Sequence, residues 1–174
     1  KTKKEIKRSY NQAKKEQENW FRSREKSQGR ILEEKGTKIL LAGHPYVLHD
    51  AYMGCGISDI LKNMGHKVLY TDFVDRESAL KRSYHFSKVM PWIVNREMTG
   101  AIMLLKDKVD GIVLVSAYPC GPDALVNDML MRKIKGLPVL QPTLDAQEGM
   151  AGIETRIESF TDIIQYQKAG GYGN

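Results

Sequence analysis

The sequence predicts an α/β fold: a doubly wound parallel sheet of about four strands in the order 2-1-3-4, with an extra amphipathic helix at the N-terminus. Two observations carry this. Short runs such as Ile112-Val113-Leu114-Val115 are apolar at every position, as strands of a parallel sheet covered on both faces require. These runs alternate with helical stretches, and right-handed crossovers between parallel strands then wind the chain in both directions from its first strand.

Residues 1–36 come first, as a basic helical segment. Ile6, Tyr10, Ala13, Trp20, Ile31 and Leu32 fall at helix-compatible spacings with charges between them, so this stripe is expected to face the core. Gly29 and Gly36 are expected to loosen the chain. A single α/β domain over residues 37–169 follows, with strands at Lys38–Ala42, Lys67–Thr71, Gly111–Ala117 and Pro138–Gln141. Helices are expected near Ser58–Met64, Trp92–Lys106, Ala124–Lys133 and Gly152–Gln167, and residues 170–174 as a frayed tail.

At 174 residues the chain has the length of one domain with a real core. Two cysteines cannot make a disulfide framework, and nothing resembles a signal peptide or a run of about 20 apolar residues. The expectation is a reduced, cytoplasmic protein that does not enter a membrane. Starting on Lys1 rather than Met, it reads as a piece of something longer. The net charge of +6 is confined to one segment: residues 1–35 hold 12 Lys/Arg against 6 Glu, leaving 15 of each sign in residues 36–174. That excess reads as the solvated face of a helix rather than a phosphate-binding patch, so no nucleic-acid partner is expected.

The strand order puts the reversal of winding between the first and third strands, where open α/β sheets bind ligands. Two long loops leave those strands, Gly43–Asp50 and Tyr118–Asp123, and a third, Thr143–Met150, leaves the fourth strand on the same edge. The second loop carries Cys120-Gly121-Pro122-Asp123. Pro122 suits the first position of a helix, which would set Cys120 beside free N–H groups and favour its thiolate. The competing reading is that Cys120 is a small buried hydrophobe at a strand end.

Neither Gly-x-Gly-x-x-Gly nor a Walker loop is present, which argues against nicotinamide and P-loop chemistry. Met53-Gly54-Cys55-Gly56-Ile57 offers glycines ahead of a helix, for close ligand approach or simply for a turn. His44, His49 and Asp50 share one loop. They are candidates for acid/base groups or metal ligands, although their spacing is no zinc signature, and equally for orienting a ligand or capping a turn. Arg156 is placed to pair with Asp145, Glu148 or Asp123, as a tie between loops or as a clamp on a substrate anion.

Three stretches together resemble one family: Leu41-Ala42-Gly43-His44-Pro45-Tyr46 with His49-Asp50, then Cys120-Gly121-Pro122-Asp123-Ala124, then Gly136–Leu140 with Leu144-Asp145 and Ala151–Phe160. They resemble the 2-hydroxyacyl-CoA dehydratase component and the related domain of CoA enzyme activases, over roughly residues 20–165. The resemblance implies a flavodoxin-like or Rossmann-like lobe of an iron–sulfur protein of anaerobic metabolism, to which an ATP-dependent activator delivers an electron. Carried over, Cys120 becomes a cluster ligand. His44, Pro45, Tyr46, Asp50, Gly121 and Asp123 become residues beside the cluster or ligand, and Asp145, Thr155 and Arg156 the signature of the last loop and helix.

Two departures from the family pattern stand out. His44 occupies a position where the family usually has Arg. A cubane cluster normally takes at least three protein thiolates, and this chain offers only Cys55 and Cys120. The resemblance therefore implies a partial site completed by the rest of the same protein or by a homologous lobe. The alternative is a non-catalytic module that binds an acyl-CoA or another small anion.

Overall fold

The computed structural model of the chain describes residues 2–145 and 150–171. Four parallel strands, β1 (Lys38–Ala42), β2 (Lys67–Tyr70), β3 (Gly111–Leu114) and β5 (Val139–Leu140), form a sheet in the order β2-β1-β3-β5. Taken in chain order, this is the expected 2-1-3-4 winding. Ile39 lies opposite Val68 on one side and Gly111 on the other, so β1 is central.

The expected third strand, Gly111–Ala117, is interrupted. Its last part is a separate strand β4 (Ser116–Ala117), which pairs with β6 (Thr143–Leu144). The register does not slip, because Ile112 faces Val139 and Ser116 faces Thr143 at the same offset. Ile112, Ser116 and Tyr118 donate N–H bonds to the carbonyls of Pro138, Pro142 and Leu144. Between them Pro142 has no N–H to return, and that missing donor breaks the ladder.

Side chains alternate across the sheet as a period of two demands. Ile39, Leu41, Val113 and Val115 enter one buried cluster with α2 (Pro45–His49), α3 (Ile57–Asn63) and α7 (Met150–Lys168). Leu40, Ala42, Ile112 and Leu114 enter the other, with α5 (Ile93–Leu105) and α6 (Gly121–Lys133). Helices thus cover both faces. Ile153, Ile157, Phe160 and Ile164 give α7 its core stripe, and Val126 and Leu130 serve α6.

Two helices were not expected. Residues 45–49, read as loop, form α2, with Pro45 in the first turn where its missing N–H does no harm. Residues 76–83 form α4 (Arg76–Ser83) behind Asp75, whose side chain accepts the Ser78 N–H at 2.8 Å. There is almost no gap between α4 and α5: a Cβ on Gly100 would stand 1.7 Å from the Ala79 carbonyl oxygen. Arg96 then gathers the connection between them, donating to the carbonyls of Ser87, Lys88 and Met90.

The N-terminal helix α1 (Lys3–Glu33) corrects two expectations. It runs straight through Gly29, for about 46 Å at 1.5 Å per residue. Its stripe does not face the core along its length: Ile6, Tyr10 and Trp20 are exposed, while Ile31 and Leu32 pack against the buried cluster that holds Leu40 and Ile112. Docking comes at Gln28, which is buried. Its side-chain amide donates to the Tyr70 carbonyl at 2.9 Å and accepts the Tyr70 N–H at 2.7 Å. The amide takes the place of a fifth strand on the open edge of β2.

At the other terminus Gly170 adopts φ +82° and the Gly171 N–H reaches the Tyr166 carbonyl, an ordered helix end rather than frayed chain. The rest of the expected tail, 172–174, lies outside the described residues, as does the loop segment 146–149 with Glu148. Among the described residues no helix is long and apolar enough to cross a membrane.

Candidate functional site

The carboxyl ends of β1 and β3 meet at the reversal of winding. The Val115 N–H donates to the Ala42 carbonyl at 2.7 Å, and the next residue of the first strand's chain is Gly43. A Cβ there would sit 2.6 Å from the Val115 carbonyl oxygen, so only glycine lets the two strand ends close up. From this point one chain turns into α2 through His44, and the other, past a cis Tyr118–Pro119 peptide, into α6 through Cys120.

Those two turns are tied together beneath the surface. His44 Nε2 lies 3.0 Å from Asp123 Oδ1, although the ring N–H is not aligned with that oxygen. The same oxygen accepts from Asn95 Nδ2 at 2.8 Å. Asp123 and Asn95 are buried, so β1, α5 and α6 are joined by a polar contact with little water around it. The Asp123 carboxylate holds the His44 imidazole above its ordinary value, against the opposing effect of burial. Burial pulls the Asp123 carboxyl upward, but His44, Asn95 and Cys120 outweigh it and leave the carboxyl below the usual range.

Cys120 caps α6, half-buried, with its N–H on the Ala117 carbonyl at 2.9 Å. The helix starts at Gly121, so Pro122 is its second residue rather than its first. The expected activation of the thiol is reversed. Burial and the Asp123 side chain push the Cys120 thiol up, while only the Asp123 main-chain amide pulls it down. Burial, with the Asp123 carboxylate adding to it, thus outweighs the main-chain amide at the start of the helix.

The remaining predicted residues divide into two groups. Pro45 and Tyr46 stay beside His44, with the Tyr46 ring centroid 5.6 Å from that of His44. Burial, Asp123 and Cys120 raise the Tyr46 phenol. His49 leaves the group: it bonds Asp72 at 2.7 Å and stacks on Phe73 beyond the end of β2. Asp50 caps its own turn by accepting the Tyr52 and Met53 N–H groups, so it is a turn residue in this fold.

Asp145 directly follows β6, and Thr155 and Arg156 lie on the second turn of α7. Arg156 donates to the Gln141 carbonyl at 3.1 Å, tying α7 to the interrupted edge strand, and Asp123 is taken by His44 and Asn95 instead. Cys55 sits in the left-handed region at φ +47° between Gly54 and Gly56, half-buried against the α3 side of the core.

Sequence reasoning missed Asn95, Thr99 and Asn127. All three are buried, and Thr99 Oγ1, Asn127 Nδ2 and Asp123 Oδ2 have no protein partner. Their signal was available: Asn95/Thr99 and Asp123/Asn127 are polar pairs spaced by four on helix faces that are otherwise apolar.

For an iron–sulfur cluster the donor set is incomplete. Among the described residues no group of three or more His, Cys, Asp or Glu is placed to hold a metal ion. One half-buried thiol at the switch point does not meet the need of a cubane.

The fold is a doubly wound sheet with a part-buried polar network at its reversal point, the place where open α/β sheets in general bind ligands. Residues 1–74 match the family described as the CoA enzyme activase uncharacterised domain. The family resemblance of the sequence therefore holds over α1, β1, α2, α3 and β2, which include the His44 loop but not Cys120. No curated protein and no solved structure matches the chain significantly.

Proposed function

We propose that this chain is one lobe of a CoA enzyme activase-like or 2-hydroxyacyl-CoA dehydratase-like iron–sulfur protein serving ATP-driven, low-potential electron transfer. Cys120 gives one cluster ligand in this reading, and the other thiolates come from another lobe or chain. The supporting observation is the His44–Asp123–Asn95 contact, which ties the Cys120 turn to the end of β1 and to α5 at the switch point. The rim adds to it. Tyr46, Tyr52, Trp92, Ile93 and Tyr118 are exposed at the ends of elements that open on that edge, an apolar border suited to a covering partner.

The test is iron and acid-labile sulfide in the full-length protein that contains this chain, wild type against Cys120→Ala. Loss of a large share of the iron is expected; unchanged iron would remove Cys120 from the ligand set.

A second reading has its own support in the raised Cys120 thiol and in the lack, among the described residues, of a group placed to hold a metal ion. In it the lobe is a non-catalytic module that holds an acyl-CoA or small anion by the His44 imidazole, whose proton Asp123 helps to retain. Calorimetry of the 174-residue chain with acyl-CoAs separates the two, since unchanged iron with measurable acyl-CoA binding favours the module.

A further inference from the structure

Upstream of its contact with Phe73, α1 carries an exposed stripe that runs away from the lobe. Ile6, Tyr10, Ala13, Gln17, Trp20 and Arg24 follow one another at alternating spacings of four and three, which puts them on one helix face. The same face continues through Gln28 and Ile31, where it is docked on β2 and the core. Upstream the stripe leaves the domain: Ile6 is 58 % exposed, Tyr10 66 % and Trp20 46 %. Trp20 meets Phe73 of the lobe and its neighbour Phe21 by their edges, and the Arg24 guanidinium lies over the Trp20 and Phe73 rings.

The charges around the stripe select its occupant. Lys7 and Lys14 each follow a stripe residue by one position and border one side; Glu16 precedes Gln17 and borders the other. Lys4, Arg8, Lys15, Arg22 and Lys26 lie on the opposite face of the helix. A lipid surface taking the apolar stripe would leave those five cations pointing away from its headgroups. A second copy is disfavoured because α1 holds ten Lys/Arg against five Glu, and antiparallel pairing about the middle of the stripe sets Lys14 against Lys14 and Glu16 against Glu16.

We propose that the stripe from Ile6 to Trp20 docks an amphipathic helix of a partner protein, with an apolar seam and carboxylates facing Lys7 and Lys14. The docked end at Gln28 anchors one end of the groove, so the partner helix lies alongside the β2 edge of the lobe. Side chains at both seam positions pack as knobs between stripe residues, and the border charges set orientation and choice of partner.

Two synthetic 28-residue helices test this, both with leucine at the seam positions, one with glutamate and one with lysine on the flanks. Fluorescence anisotropy with the 174-residue chain is expected to give at least tenfold tighter binding of the glutamate helix, with a blue shift of Trp20 emission. Lys7→Glu with Lys14→Glu should reverse the preference. Ile6→Glu with Tyr10→Glu should abolish binding while circular dichroism stays unchanged, since both sites are exposed. Equal binding of the two helices, or no binding at hundreds of micromolar, would overturn the proposal. So would a dimer in light scattering that Ile6→Glu dissolves, or stripe-dependent binding to phosphatidylserine vesicles or to a 20-nucleotide RNA.

Discussion

The two ends of the sheet are built from the same kinds of residue and do opposite things. At the base, where strands begin, Asp110 accepts the Lys38 N–H at 2.7 Å and pairs with Lys168 at 3.0 Å, and Lys168 also reaches the Thr37 hydroxyl. Glu34 and Lys67 pair beside them. Every one of these groups lies at the surface with a direct structural partner, so the base is closed by ordinary ties between α1, β1, β3 and α7.

At the crest, where strands end, Asp123 is buried, keeps one oxygen unpaired, and shares the other between His44 and Asn95. Histidines mark the contrast. His44 at the crest is raised by its carboxylate neighbour, whereas burial, and then Lys168, lower His66 at the base. A fold that only needed stability had no reason to bury a carboxylate at one end when the other shows how to place it at the surface. The difference is what makes the crest the candidate site.

The largest test of that contrast is Asp123→Ala. Removing one partner of a buried charged contact leaves the rest uncompensated, and a loss of about 3 kcal/mol is expected in urea denaturation. Asp110→Ala at the base removes a half-exposed tie and should cost about 1 kcal/mol. Equal losses at the two positions would erase the distinction between the two ends.

The smallest effect sharpens the comparison by its sign. His44 holds its proton more tightly folded than unfolded, so its contribution is complete below its ordinary value of 6.5 and fades as pH rises through the raised folded value. His66 is depressed from the same 6.5, so its contribution is complete above that and is lost as pH falls through the folded value. The gap in urea midpoint between wild type and His44→Gln should therefore shrink from about pH 6 to about pH 8. The gap for His66→Gln should shrink from about pH 7.5 to about pH 5.5. Slopes of the same sign would show that one histidine is misassigned.

How much of this was legible before folding differs by element. The strands and their order followed from runs such as Ile112–Val115, because burial on both faces leaves a run of apolar residues that cannot be mistaken for surface. The helix α4 was hidden, since Ala79 and Ser83 are its only buried residues and its one signal was the Asp75 cap. The meeting of the chain ends that leave β1 and β3 was legible, but Pro45–His49 is a helix and Thr143–Leu144 a strand rather than loop, and the residues there were not sorted. His44 and His49 stand in one short stretch of sequence, and α2 turns them to different partners, Asp123 and Asp72.

The sequence by itself determined the winding of the sheet, the placement of Cys120 at a strand-to-helix turn, and the basic, amphipathic character of α1. Those are consequences of periodicity and turn chemistry, which act over a few residues. Only the tertiary structure decided that Asp123 is buried beneath that turn, and that burial, together with the Asp123 side chain, raises the Cys120 thiol. It also decided that Gln28, far along a polar-looking helix, closes the edge of β2 while the stripe before it stays open. Both depend on contacts between residues distant in the chain, across which local propensity carries no information.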